Sequence, residues 1–145
     1  MTEEFNPENK CAHLTMTNDD SSHKLEIMFG LQEQLQENLG NNLKDIPWEE
    51  KIKKFKEMYI ALLDEQNETL NRIAWKPWKK YKKLDLNEEE LLELKYELVD
   101  TWFFLMNQCL IFGLGAKEFF NLYVAKQKEN NDRIIRGYSV KNNLK

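Results

Sequence analysis

No stretch of this chain alternates apolar and polar residues as a half-buried strand must, while apolar side chains recur every three or four positions. That spacing confines the fold to helices packed on helices. Only three prolines and five glycines occur, mainly where helices should start or stop. The first helix is expected from Ser22, a capping residue, to Asn38, closed by Gly40 and Asn41. A second should start near Pro47, carry the stripe Ile52, Phe55, Tyr59, Leu62 and Leu63, and end near Ala74. A third should follow Asn87, whose cap is joined by Glu88, Glu89 and Glu90, and run to about Phe112 before Gly113 and Gly115. The fourth spans about Ala116 to Ile135. Short connections between such helices predict an all-α fold, an antiparallel bundle of four to five helices.

At 145 residues the chain holds one domain. Residues 1–21 are polar and aperiodic and read as a disordered tail; 22–138 form the helical domain, and 139–145 a second, loose tail. A net charge of −4, with Lys and Glu interspersed, leaves no basic field for nucleic acid. Cys11 and Cys109 are too isolated for a disulfide framework or a zinc site. The longest apolar run, Leu98–Leu114, carries Asp100, Asn107 and Gln108, which suits a buried helix and not a membrane span. No signal peptide is visible, so a cytoplasmic location is expected. Trp102, Phe103, Phe104, Leu105, Leu110, Ile111 and Phe112 supply more apolar surface than one bundle face needs, which predicts a homodimer.

Two acidic pairs at i, i+3 spacing stand out: Glu65 with Glu68 on the second helix, and Glu97 with Asp100 on the third. Side chains three apart share a helix face, so each pair can address one point. Glu68 lies roughly 9 Å before its helix ends and Glu97 roughly 15 Å into the next, at about 1.5 Å per residue. The intervening loop can absorb that offset, and an antiparallel hairpin brings all four together. Clustered carboxylates repel unless a cation neutralises them, and oxygen-only donors favour a hard ion such as Mg²⁺. Such an ion acidifies a bound water, whose proton a spare carboxylate can take. On a solvated face these acids would mean nothing. Asp100, however, sits inside an apolar run, where an unpaired charge is costly.

The pattern Glu65-x-x-Glu68, a gap, then Glu97-x-x-Asp100 resembles the metal signature of all-α NTP pyrophosphohydrolases, the superfamily of MazG-like enzymes and dimeric dUTPases. Tyr123 to Tyr138, with Lys126, Asn130 and Arg133 on one face and then Gly137-Tyr138, is similar to the dimeric dUTPase C-terminal motif. Met28 to Gln36 is similar to that family's base-recognition helix. Trp75, Lys76, Trp78 and Lys79 resemble its Trp- and Lys-rich stretch. Gln127, Ile134, Phe103 and Gln36 depart from the pattern, standing where Asn, Gln, His and Asn are usual.

The resemblance implies a MazG-like dimer hydrolysing dUTP, and dUDP as well, to dUMP. Glu65, Glu68, Glu97 and Asp100 would hold two or three Mg²⁺, with Mn²⁺ as a substitute, and Glu65 or Glu68 would activate water. Lys126, Asn130, Arg133, Lys79 and Tyr138 would take phosphate; Gln32, Gln36 and Trp78 would take the base. A glutamine amide can present donor or acceptor, so dCTP stands as an alternative substrate. A broader MazG-like activity and a non-catalytic helical protein-binding module are the other readings.

Overall fold

The computed structural model describes residues 22–137. The two expected tails, Cys11 and Tyr138 lie outside the described residues. Among the described residues there are four helices and no strand: α1 (Lys24–Asn38), α2 (Trp48–Asn71), α3 (Glu88–Ile111) and α4 (Ala116–Ile135).

The helix ends follow local chemistry. At α3 the Asn87 side chain accepts from the Glu90 backbone N–H and Glu90 reaches back to the Asn87 N–H, each at 2.8 Å, a reciprocal capping box. At the end of α1, the Gly40 N–H donates to Glu37 and the Asn41 N–H to the Gln36 carbonyl. The same closure ends α3, from Gly113 to Leu110 and from Leu114 to Cys109. Both glycines have positive φ (75° and 73°), which this closure needs and which a Cβ disfavours.

Three boundaries differ from the sequence reading. α1 starts at Lys24, because the first helical bond runs from the Ile27 N–H to the His23 carbonyl and leaves Ser22 outside. Pro47 is the N-cap of α2 and not its first helical residue. α2 ends at Asn71, three residues early, because Arg72 and Ile73 donate to carbonyls only three residues back.

α2 and α3 form a long antiparallel hairpin, and α1 packs across α3 without packing directly on α2. The buried apolar core lies at one end, where Phe29, Leu43, Met106, Leu110, Ile111 and Ala116 meet. Phe55 and Met58 of α2 and Phe119 of α4 pack against it, the rings of Phe29 and Phe119 lying 6.0 Å apart. α4 turns away from α3 by 102°; its first turn joins the core through Ala116 and Phe119, and its backbone comes close only to α1 among the helices. Tyr59, Ile60 and Leu63 on α2, and Val99, Trp102 and Phe103 on α3, remain exposed. No single helix is long and apolar enough to cross a membrane.

Candidate metal and nucleotide site

Away from the apolar core, the hairpin brings the acidic pairs together. One carboxylate oxygen each from Glu65, Glu68 and Glu97 lies within 4.8 Å of the others. Glu97 is buried at 3% exposure, and Glu65 and Glu68 are half-buried. Asp100 is half-buried one turn beyond Glu97, and its charge acts on Glu65. The Glu65 carboxyl titrates above its ordinary range, first because burial desolvates it, then because Asp100, Glu68, Glu97 and Asp64 are negative nearby. The donor set is oxygen only, compact and electrostatically short of positive charge. It therefore suits a hard divalent cation.

Two residues absent from the sequence reading complete the arrangement. Arg72, the C-cap of α2, donates to Glu97 Oε1 from Nε at 3.0 Å and from Nη2 at 2.5 Å. Its Nη2 also lies 3.9 Å from Glu93 Oε2, and Glu93 is only 2% exposed. A Glu93–Arg72–Glu97 group thus joins the end of α2 to α3. Both residues carried a signal. Arg72 follows Glu68 by four and Glu65 by seven, on their face of α2, and Glu93 precedes Glu97 by one turn.

The remaining residues lie elsewhere. Gln32 is buried and donates from Nε2 to Asn107 Oδ1 at 2.8 Å. Gln36 accepts from Asn41 Nδ2 at 2.9 Å and borders a cavity of about 480 Å³ that no hairpin carboxylate lines. Trp78 is exposed in the loop after α2, edge-on to Trp75 with centroids 5.7 Å apart. The Lys79 ammonium stands over the Tyr81 ring at 5.6 Å. Gln32 sits at the level of Met58 through Asn107, so roughly 20 Å of helix, at about 1.5 Å per residue, separates it from the end of α2 where the tryptophan loop leaves. Lys126, Asn130 and Arg133 are exposed on α4, with Arg133 Nε donating to Glu129 at 2.9 Å. Because α4 turns away from α3 and its backbone comes close only to α1, one chain does not bring these three to the carboxylates.

By sequence, the chain is similar to proteins of two enterobacterial phages. The chain is 42% identical over 91 residues to a dCTP pyrophosphatase of Enterobacteria phage LZ5, covering 57% of this chain and 53% of that protein. It is 35% identical over 92 residues to the dCTP pyrophosphatase of Enterobacteria phage T4, covering 58% and 54%. A T4 DNA replication protein is 34% identical over 82 residues, 51% of this chain and 21% of that protein. The chain thus spans about half the length of the pyrophosphatases it matches. No family model matches, and no solved structure matches significantly. Both pyrophosphatases are named for dCTP, which the sequence reading held as an alternative to dUTP.

Proposed function

We propose that this chain is a divalent-metal-dependent nucleoside triphosphate pyrophosphohydrolase whose preferred substrate is dCTP, cleaved to dCMP and pyrophosphate. The observation that carries the reading is the convergence of Glu65, Glu68 and Glu97, with Asp100 acting on Glu65, from two helices of one hairpin. Support for the substrate comes from the similarity to two phage dCTP pyrophosphatases. A non-catalytic helical module would not need to bury Glu93 and Glu97, because buried charge is costly without a use.

Glu65, Glu68, Glu97 and Asp100 would hold the metal, with Mg²⁺ the expected ion. When bound, it polarises the phosphate oxygens and acidifies a water. Glu65 or Glu68 is the favoured proton acceptor for the attacking water, since both carboxylates stand in the cluster from one face of α2. Arg72 holds Glu97 in place. Lys126, Asn130 and Arg133 would neutralise the outer phosphates. They reach the carboxylates only if a second copy supplies α4, so the proposed homodimer both covers the exposed apolar residues of α2 and α3 and completes the site.

The second reading is dUTP as substrate, favoured by Lys126, Asn130 and Arg133 at the dimeric dUTPase spacing. Pyrophosphate release from dCTP, dUTP, dTTP and dATP with Mg²⁺ separates the two. Highest kcat/KM on dCTP supports the first, highest on dUTP supports the second, and release from none excludes both.

A further inference from the structure

Three side chains from three helices meet where α1 and α2 both lie against α3. Asn107 of α3 lies between Met58 of α2 and Gln32 of α1. Its Nδ2 contacts the Met58 sulfur at 3.5 Å, and its Oδ1 accepts from Gln32 Nε2 at 2.8 Å. Gln32 and Asn107 are 3% and 2% exposed. A thioether can only accept. Turning the Asn107 amide over would set its oxygen against the sulfur, lone pair to lone pair. The sulfur therefore directs the Asn107 nitrogen toward itself and the Asn107 carbonyl toward Gln32. Gln32 must then answer with its NH₂ group, which turns its own carbonyl away from Asn107. Among the described residues nothing donates to that oxygen. Although Gln32 as a residue is 3% exposed, this oxygen is not sealed from solvent, so a ligand can reach it and take the place of water.

Its position suits a nucleotide. Met58 precedes Glu65 by seven residues and Asn107 follows Asp100 by seven. Both helices therefore put this group roughly 10 Å from the carboxylates, at about 1.5 Å per residue. A nucleotide spans that reach between its α-phosphate and the edge of its base.

We propose that Met58 and Asn107 are positioning residues that lock Gln32 as a one-way reader, its Oε1 accepting an N–H from the base edge. The proposal rests on the nucleotide reading above and adds a rule for the base. Cytosine meets the rule with its 4-amino group. Uracil meets it less well, because its N3–H is flanked by two carbonyl oxygens that face the Gln32 oxygen. 2-Pyrimidinone has no N–H on that edge and fails it. An unlocked glutamine could turn over and donate to the 2-pyrimidinone ring nitrogen instead.

The test compares kcat/KM for dCTP and for 2-pyrimidinone deoxyriboside triphosphate, with Mg²⁺. The locked wild type should favour dCTP by about 100-fold or more, since a site built around one hydrogen bond rejects a base lacking it. Asn107→Asp, whose carboxylate can only accept, should keep that gap. Asn107→Leu should shrink it to within about threefold, and Met58→Leu, a volume-conserving change, should narrow it while leaving the fold intact. A ratio between substrates does not move with a mere loss of stability. A wild type that cleaves both triphosphates equally, or active Asn107→Leu and Met58→Leu variants that retain the full gap, would overturn the lock while leaving the pyrophosphohydrolase reading intact. A wild type that cleaves neither removes both.

Discussion

Arg72 directs two nitrogens, Nε at 3.0 Å and Nη2 at 2.5 Å, at a single oxygen of the buried Glu97. The pair ties the C-terminal end of α2 to the middle of α3 and supplies a cation beside the carboxylate cluster. Its loss leaves two buried acids without that counter-charge. Arg72→Met should therefore lower unfolding stability by about 3 kcal/mol, the lower end for removing one partner of a buried ion pair, since Arg72 is partly exposed. Urea unfolding in EDTA measures the loss. Saturating Mg²⁺ should recover part of it, because a bound ion stabilises whichever state holds it. An unchanged urea midpoint in EDTA would mean that the pair contributes nothing.

The raised pKa of Glu65 gives a pH dependence of definite sign. Its cause is burial first and neighbouring negative charge second. Between the ordinary value of 4.5 and the raised one, the folded protein holds a proton that the unfolded chain has released. Stability of the metal-free protein should thus fall as pH rises from 4.5 through the raised pKa. Glu65→Gln should flatten that fall and stabilise the metal-free protein at neutral pH. Thermal melts in EDTA across this range read it, and a Glu65→Gln profile parallel to wild type would reject the assignment.

Lys126 is exposed on α4 and remote from the carboxylates within one chain. If a partner's α4 supplies it, Lys126→Ala should raise KM for dCTP by about tenfold or more, as loss of a charge-assisted contact does, with unchanged stability. Mixing Lys126→Ala with Glu68→Ala should then restore activity, since mixed dimers hold one intact composite site. Absence of any rescue would place each complete site within one chain.

The proposed homodimer would cover the exposed apolar residues of the hairpin. Trp102→Glu should shift the protein toward a monomer in sedimentation equilibrium and abolish activity together with the dimer. A wild type that sediments as a monomer at micromolar concentration would refute the homodimer.

Much of this was legible in the residues because helix signals are local. Asn87 with Glu90 announced the start of α3, and the limits of α4 matched Ala116 and Ile135. The hairpin that gathers Glu65, Glu68 and Glu97 followed from two i, i+3 pairs and a loop long enough to fold back. What was not legible depends on contacts between helices. Arg72 was not singled out in the sequence; only the early stop of α2 and the packing of α3 turn it onto Glu97. Asn107 was read only as a polar break in an apolar run, yet it is the hub between Met58 and Gln32. Gln36 looked equivalent to Gln32 one turn away, but the closure of α1 engages it with Asn41 instead. Nothing in a periodic pattern reveals that α4 leaves α3 at 102°, which decides whether its basic face meets the acids in one chain or two.

The most direct measurement is pyrophosphate release from dCTP by wild type, Glu68→Ala and Glu97→Gln, each with Mg²⁺ and with EDTA. The account predicts Mg²⁺-dependent release of one pyrophosphate per dCMP by wild type, abolished by EDTA and reduced by about 100-fold or more in both variants, as loss of a catalytic electrostatic contact is. Release that persists in EDTA or in both variants, or orthophosphate as the product, would contradict it.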